Sequence, residues 1–381
     1  MHKYIFMKIQ FPIVVLTIGL FSFVPPVLAQ KKHLNEPLLL AKSERADVAY
    51  GKTWYVNAWR ISPQIVHDTL NVKLYGKSEK ISFRTDRDSI SFAIKAGDTK
   101  SFYVKMGDAA AAHTLISATP YTWDKVTYGK AAKRKDLNIY YEQKDNAYFD
   151  TLRSKYPIVK VFAKERGDMQ KVLSILNWTH HQWKHDGNNS PKINTAVGIL
   201  DEVKTGARFP CFAYAIVLRD QLTAHGFKAR TIYLKTKDAE TRKGSPGHVA
   251  TEVFLNDQKK WVFIDGQFNI MPTLNGKPLN AVEFQQALST QYDQVVMTSR
   301  DQVDKRGYVD FVYDYLYYFD TALDNRILPA YKSYKVDGKR SLMLVPNGAP
   351  NLAKISFWNS TVDYCLYSNS LNDFYSDPNK G

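Results

Sequence analysis

From Thr53 to about Thr119, apolar and polar residues alternate in short runs, as in Lys80-Ile81-Ser82-Phe83-Arg84, Ser89-Ile90-Ser91-Phe92-Ala93-Ile94 and Ser101-Phe102-Tyr103-Val104. A period of two puts alternate side chains on one face, so these runs predict strands with one buried side. Turn signals at Thr85-Asp86-Arg87-Asp88 and Ala96-Gly97-Asp98 separate them. Short strands with turns every eight to twelve residues or so predict a small β-sandwich. Residues 31–50 are polar and mixed and predict a loose lead-in. Residues 30–120 thus read as a β-rich accessory domain without a chemical constellation.

The period changes after residue 150. Val172, Ile175, Leu176 and Trp183 share a helical stripe, with Asp168 as N-cap and a stop near His185-Asp186-Gly187-Asn188-Asn189. Ala196 to Lys204 predicts a short helix. Next comes Arg208-Phe209-Pro210-Cys211-Phe212-Ala213-Tyr214-Ala215-Ile216-Val217-Leu218, an apolar run that predicts a buried helix entered at Pro210 and left at Gly226. Cys211, Ala215, Leu218 and Leu222 fall on one face. A cysteine at a helix N-terminus sits at the positive end of the dipole, which favours its thiolate.

Three strand-like runs follow: Ala229 to Leu234, His248 to Leu255 and Lys260 to Asp265. If the last two form a hairpin with an even loop (Asn256-Asp257, or Asn256 to Lys259), even residue numbers face odd ones. His248 and Asp265 then lie opposite each other, or one diagonal apart, on the same face. An aspartate beside an imidazole fixes its tautomer and stabilises its protonated form. With Cys211 this makes a nucleophile, a base and an orienting acid. Asn280-Ala281-Val282-Glu283 predicts a capping-box start to another helix. From about 308 to 367 the chain reads as β-rich. There Phe311, Tyr313, Tyr315, Tyr317 and Phe319 alternate as an aromatic face, either for core packing or for stacking on a sugar or peptide.

Composition narrows the setting. Lys3 and Lys8 precede an apolar core from Phe11 to Val24, and Val27-Leu28-Ala29 suits a cleavage site before Gln30. Residues 1–29 therefore predict an export signal, too short at about 14 apolar residues to serve as a stable membrane anchor. A periplasmic, extracellular or cell-surface location follows as the expectation. The formal charge of +15 is spread along the chain, which argues against a nucleic-acid arm and leaves anionic envelope polymers as a weaker option. The two cysteines, Cys211 and Cys365, are compatible with a disulfide in an oxidising compartment, or with a nucleophile and a buried free thiol. His181 and His185 have the spacing of a zinc pair, but no third ligand is evident, so no metal and no cofactor are expected.

The stretch from Ala196 to Asn269 resembles the transglutaminase-like superfamily, relatives of the papain-type cysteine peptidases. The residues that carry the resemblance are the lead into Cys211 and its helix, then Gly226-Phe227-Lys228-Ala229-Arg230. They continue with Gly247-His248-Val249-Ala250-Thr251-Glu252-Val253 and Trp261-Val262-Phe263-Ile264-Asp265. Phe209-Pro210 stands where many members have glycine and a small residue. The resemblance implies an α+β fold, with a Cys-bearing helix packed on an antiparallel sheet over residues 121–290. A β-sandwich-like domain precedes it and a β-rich extension, 291–381, follows. It implies Cys211 as nucleophile, His248 as general base and acid, and Asp265 as orienter. The Cys211 backbone N–H is the expected oxyanion donor, with Gln182 or Trp183 contributing from the upstream helix. His185 is expected to border the cleft, and Trp178 and Trp183 to wall it or to fill core.

The function expected is exported cysteine acyl transfer on amide or peptide bonds of a peptide or protein substrate, hydrolysis favoured over cross-linking. The alternative is a non-enzymatic surface or binding module that keeps the fold. Oligomeric state is left open.

Overall fold

In the computed structural model, which describes residues 31–64, 68–131 and 134–379, the alternating runs of the N-terminal third form two facing sheets. One has five strands in the order Lys32–His33, Glu36–Ala41, Thr99–Met106, Ala112–Pro120 and Asp68–Leu74. The other has four, in the order Thr53–Arg60, Arg45–Tyr50, Ser78–Arg84 and Ser89–Lys95. Leu39, Val48, Val72, Ile81, Phe83, Phe102 and Val104 fill the space between them. Residues 31–50, expected as a lead-in, are strands. Glu36–Ala41 pairs in parallel with Thr99–Met106, a partner far along the chain, so no local pattern announces it. The proposed leader, residues 1–29, lies outside the described residues. No helix among the described residues is long and apolar enough to cross a membrane.

The rest of the chain is built on a six-stranded sheet. Its order is Lys260–Ile264, Gly247–Leu255, Lys228–Lys235, Tyr318–Ala322, Ser341–Leu344 and Cys365–Ser368. Neighbours are antiparallel except the last pair, which is parallel. Helices α1 (Ala147–Lys155), α2 (Val159–Phe162), α3 (Asp168–His180), α4 (Ala196–Lys204) and α5 (Cys211–Ala224) precede it. Then α6 (Ala281–Gln291) and α7 (Lys305–Val312) lie in the chain between strands Lys260–Ile264 and Tyr318–Ala322, and α8 (Leu371–Phe374) follows Cys365–Ser368. On one face Val172 and Leu176 of α3 and Leu218 and Leu222 of α5 pack on Val253, Val262 and Ile264. On the other, Phe284 of α6 and Val309 and Val312 of α7 pack on Ile232, Phe254 and Phe263. A sheet covered on both faces needs strands apolar on both sides, which explains why these strands read as near-continuous hydrophobic runs.

Three of the six strands come from beyond residue 290, so the expected β-rich extension is part of the same sheet. The first part of that extension is helical. Residues 305–312 form α7, followed by a 3₁₀ turn, Tyr313–Tyr315. Tyr308, Phe311, Val312 and Tyr315 are spaced i, i+3, i+4 and i+7, a helical stripe hidden inside the aromatic alternation. Asp304 caps α7, accepting from the N–H groups of Arg306 at 3.1 Å and Gly307 at 3.3 Å. The outer side of α7 carries the sandwich. Arg306 stacks 3.7 Å from the centre of the Tyr75 ring and donates to Glu79 at 3.0 Å. Thr53 and Tyr55 donate to Asp304 and Asp310.

Candidate active site

Helix α5 brings Cys211 to the end of the sheet. Pro210 is its N-cap, in an extended conformation with no side-chain cap; its carbonyl accepts from the Ala213 N–H at 3.1 Å, and the N–H groups of Cys211 and Phe212 have no intrahelical acceptor. Ala215, Leu218 and Leu222 are buried on the sheet side, and Thr251 Oγ1 donates to the Ala215 carbonyl at 3.3 Å. Those contacts fix the helix axis, and Cys211 at its tip stays half-buried, with a free thiol.

The hairpin sets the other two residues. Leu255 pairs with Lys260 across a four-residue loop, and Thr251 pairs with Ile264. Continuing that register sets Asp265 opposite Ala250, one diagonal from His248 on the same face. The loop is held from outside. Asp168 accepts from the N–H groups of Asn256 at 2.8 Å and Asp257 at 3.2 Å, while Asp257 accepts from the Asp168 N–H at 2.9 Å. Asp168 was expected as the N-cap of α3. That position is taken by Gly167 at φ 78°, a left-handed conformation that glycine adopts freely, and Asp168 is the first helical residue. The helix ends at His180 rather than near His185.

His248 Nε2 lies 2.8 Å from Asp265 Oδ2, with the Asp265 side chain fully buried. The carboxylate is saturated. Its Oδ2 also accepts from the Tyr308 hydroxyl at 3.0 Å, and its Oδ1 accepts from the N–H groups of Gln267 at 2.9 Å and Phe268 at 3.3 Å. Burial pushes the Tyr308 phenol well above its usual range, and the charge of Asp265 adds to that, so it remains a donor. Burial pulls the His248 imidazole down. Against that pull, the charge and hydrogen bond of Asp265, with hydrogen bonding and charge from Cys211, push it up to about 10. At neutral pH this histidine is an imidazolium held between a carboxylate and a thiol group.

Aromatic residues of the α7 segment wall the imidazole. Phe311 meets it edge-on with centroids 5.1 Å apart, and Tyr315 lies tilted at 6.1 Å. Burial raises the Tyr315 phenol, Arg242 opposes this, and Asp314 and Cys211 add to it, so its hydroxyl shares the electrostatic field of the thiol. Gly247 precedes His248 where a Cβ would stand 2.8 Å from the Trp358 ring. Any larger residue there would displace that half-exposed indole.

His185 lies on the exposed rim. Burial and then the charge of His248 lower its pKa, which couples it to the site. Trp183 presents no free donor, whereas the Gln182 amide spends one of its two N–H donors and keeps the other. The Gln182 amide nitrogen donates to the Trp178 carbonyl at 2.6 Å, and the Trp183 indole N–H donates to the Phe209 carbonyl at 3.1 Å. Trp183 is buried against Tyr214, with ring centroids 4.2 Å apart, and so is core beneath α5. The side chain consumed its own donor to settle the loop before Cys211. Cys365 is a buried free thiol, pushed up to about 12 by burial, with Lys235 opposing. Sequence reasoning missed Tyr308, and Phe311 as a wall of the site. The Asp304 cap and the i, i+3, i+4, i+7 stripe were the available signals for both.

A Cys-bearing helix tip, a histidine at a strand start and an aspartate at the neighbouring strand's end meet at one end of an α+β core. Residues 155–266 match the family model of the Transglutaminase-like superfamily, a span that holds Cys211, His248 and Asp265. No curated protein matches the chain significantly. Among solved structures, a proposed cysteine protease from Cytophaga hutchinsonii is 14% identical with a TM-score of 0.26, covering 40% of this chain and 47% of its own. A proposed protease from Parabacteroides distasonis is 12% identical with a TM-score of 0.24, covering 55% of this chain and 42% of its own. The chain thus spans less than half the length of either.

Proposed function

We propose that this protein is a cysteine-dependent acyl-transfer enzyme acting on amide or peptide bonds, with water as the usual acyl acceptor. The observation that carries this reading is the His248–Asp265 contact of 2.8 Å, saturated by Tyr308 and two backbone N–H groups, with Cys211 coupled to the same imidazole. In the first step the Cys211 thiolate attacks the substrate carbonyl carbon. The developing oxyanion is met by the unpaired N–H groups at the start of α5, Cys211's own among them. The C–N bond breaks as the His248 imidazolium transfers its proton to the leaving amine. In the second step neutral His248 takes a proton from water, which attacks the thioester and releases the acid and the thiolate. Asp265 holds the imidazole orientation and favours its charged form throughout.

Hydrolysis is favoured over cross-linking because Cys211 is only half-buried, so water reaches the acyl group without a second substrate. Export, with a peptide or protein substrate outside the cytoplasm, is proposed from the basic and apolar pattern of residues 1–29. The test is product analysis. A peptide library incubated with the protein, with and without an added primary amine, is read by mass spectrometry. Products gaining water that vanish in Cys211→Ala support the reading. Products appearing only as amine adducts would move it to transamidation, and an unchanged library would remove the enzymatic reading.

A further inference from the structure

Beside the candidate site, two histidines and an aspartate converge. His180 and His181 close α3, Asp301 lies in the segment leading to α7, and one ligand atom from each lies within 4.8 Å of the others. The third partner that the local sequence lacked is supplied by a residue 120 positions further on; His185 is not part of the group. Both imidazoles are already arranged as metal ligands usually are. His180 Nδ1 lies 3.2 Å from the Gly266 carbonyl, and His181 Nδ1 lies 2.8 Å from the Asn177 carbonyl. A carbonyl only accepts, so each Nδ1 carries the hydrogen, and in the neutral ring each Nε2 is left as a lone pair. Histidine ligands of metals show this pattern, one nitrogen donating to a carbonyl and the other binding the ion.

The His181–Asp301 spacing and the surroundings agree. His181 Nε2 lies 3.5 Å from Asp301 Oδ2. Ligands about 2.1 Å from a tetrahedral zinc ion stand about 3.4 Å apart. Asp301 is held in place by the buried Asn269, whose amide nitrogen donates to Asp301 Oδ2 and to Asn177 Oδ1, both at 2.8 Å. Asn269 Oδ1 is buried and has no hydrogen-bond partner among the described residues, a polar atom left over beside the cluster.

We infer that His180, His181 and Asp301 form a divalent-metal site that takes zinc, with at least one coordination position open to water. Two imidazoles and one carboxylate suit zinc rather than calcium or magnesium, which take all-oxygen sets. Its place in the fold gives it a task. It joins the end of α3 to the segment before α7 and, through the Gly266 carbonyl, to the turn that carries Asp265. A bound ion would clamp the two sides of that turn together.

Cys211, His248 and Asp265 are themselves a set that zinc can bind, so the experiment is done on full-length Cys211→Ala protein. Zinc is titrated by calorimetry against a competing chelator, and thermal unfolding is followed with zinc and with EDTA. The expected result is one equivalent of zinc in the Cys211→Ala protein, a higher Tm with zinc, and at least about a 100-fold loss of affinity on adding His181→Ala or Asp301→Asn. Asp301→Asn is nearly isosteric and serves where His181→Ala fails to fold, folding being judged by the Tm in EDTA. No stoichiometric zinc binding to the Cys211→Ala protein at micromolar concentration, or equal affinity in the folded double variants, would overturn the assignment.

Discussion

The strand Gly247–Leu255 carries two buried ionisable residues on one face, His248 near its start and Glu252 four positions on, and their surroundings differ. Glu252 is enclosed. Its Oε2 accepts from Arg230 at 2.7 and 3.1 Å, and its Oε1 accepts from the Ala281 N–H at 3.1 Å and the Tyr375 hydroxyl at 3.0 Å. The guanidinium lies between the Trp261 and Phe374 rings, 4.5 Å from each, and donates to the Phe374 carbonyl. That cluster ties α6 and α8 to the sheet. The His248 cluster is just as dry on the Asp265 side, but its other neighbour, Cys211, is half-exposed. A charge pair closed on every side organises a fold. A pair that leaves one reactive neighbour reachable from solvent is where chemistry is found.

The comparison is sharpened most by Asp265→Asn. The asparagine amide cannot orient the imidazole as the carboxylate does, so the rate on any turned-over peptide is expected to fall about 10⁴-fold while the chain still folds. Steady-state kinetics and circular dichroism check both halves. A large loss of folding with little loss of rate per folded molecule would place this pair in the structural class.

Arg230→Met should do the reverse. It leaves Glu252 buried and unpaired, at a cost of about 3–5 kcal/mol in urea unfolding, with Cys211 reactivity unchanged in the folded fraction. Replacing both partners, Arg230→Met with Glu252→Leu, is expected to recover most of that stability. Failure of the double variant to improve on the single would mean that the pair is needed for more than charge balance.

Stability against pH separates the clusters without mutation. The folded pKa of His248 is raised from 6.5 to about 10, so the folded state binds its proton more tightly than the unfolded chain. Its contribution is complete below pH 6.5 and is lost as pH rises towards 10. Urea midpoints measured across that window should fall with pH, and Asp265→Asn, by removing the leading cause that raises the pKa, should flatten the decline. The smallest effect is expected for Tyr308→Phe. Asp265 keeps its other three donors, so about 1–2 kcal/mol of stability and about a tenfold loss of rate are expected.

What the sequence revealed follows from how local each constraint is. His248 and Asp265 were placed on one face by parity alone, because a hairpin with a period of two admits few arrangements. Cys211 was legible from Pro210 and the apolar run behind it. Tyr308 was not, because its contact with Asp265 spans 43 residues and depends on α7 docking between sheet and sandwich. Asp301 was hidden for the same reason. Trp183 is core, but it lies beyond the end of α3 rather than on its stripe, and its indole N–H is spent on the Phe209 carbonyl, a choice that only the loop conformation reveals. The strands of residues 31–50 escaped because their polar sequence is ordered by partners distant in the chain.

The central claim is that His248 activates Cys211. Its most direct test is the second-order rate of alkylation of Cys211 by a peptide chloroacetamide at pH 7, compared between the native protein and His248→Ala, with sites read by mass spectrometry. The account predicts labelling confined to Cys211, with the buried Cys365 spared, and a rate at least about tenfold higher in the native protein. Equal rates in the two proteins, or no labelling of Cys211 in folded protein, would contradict it.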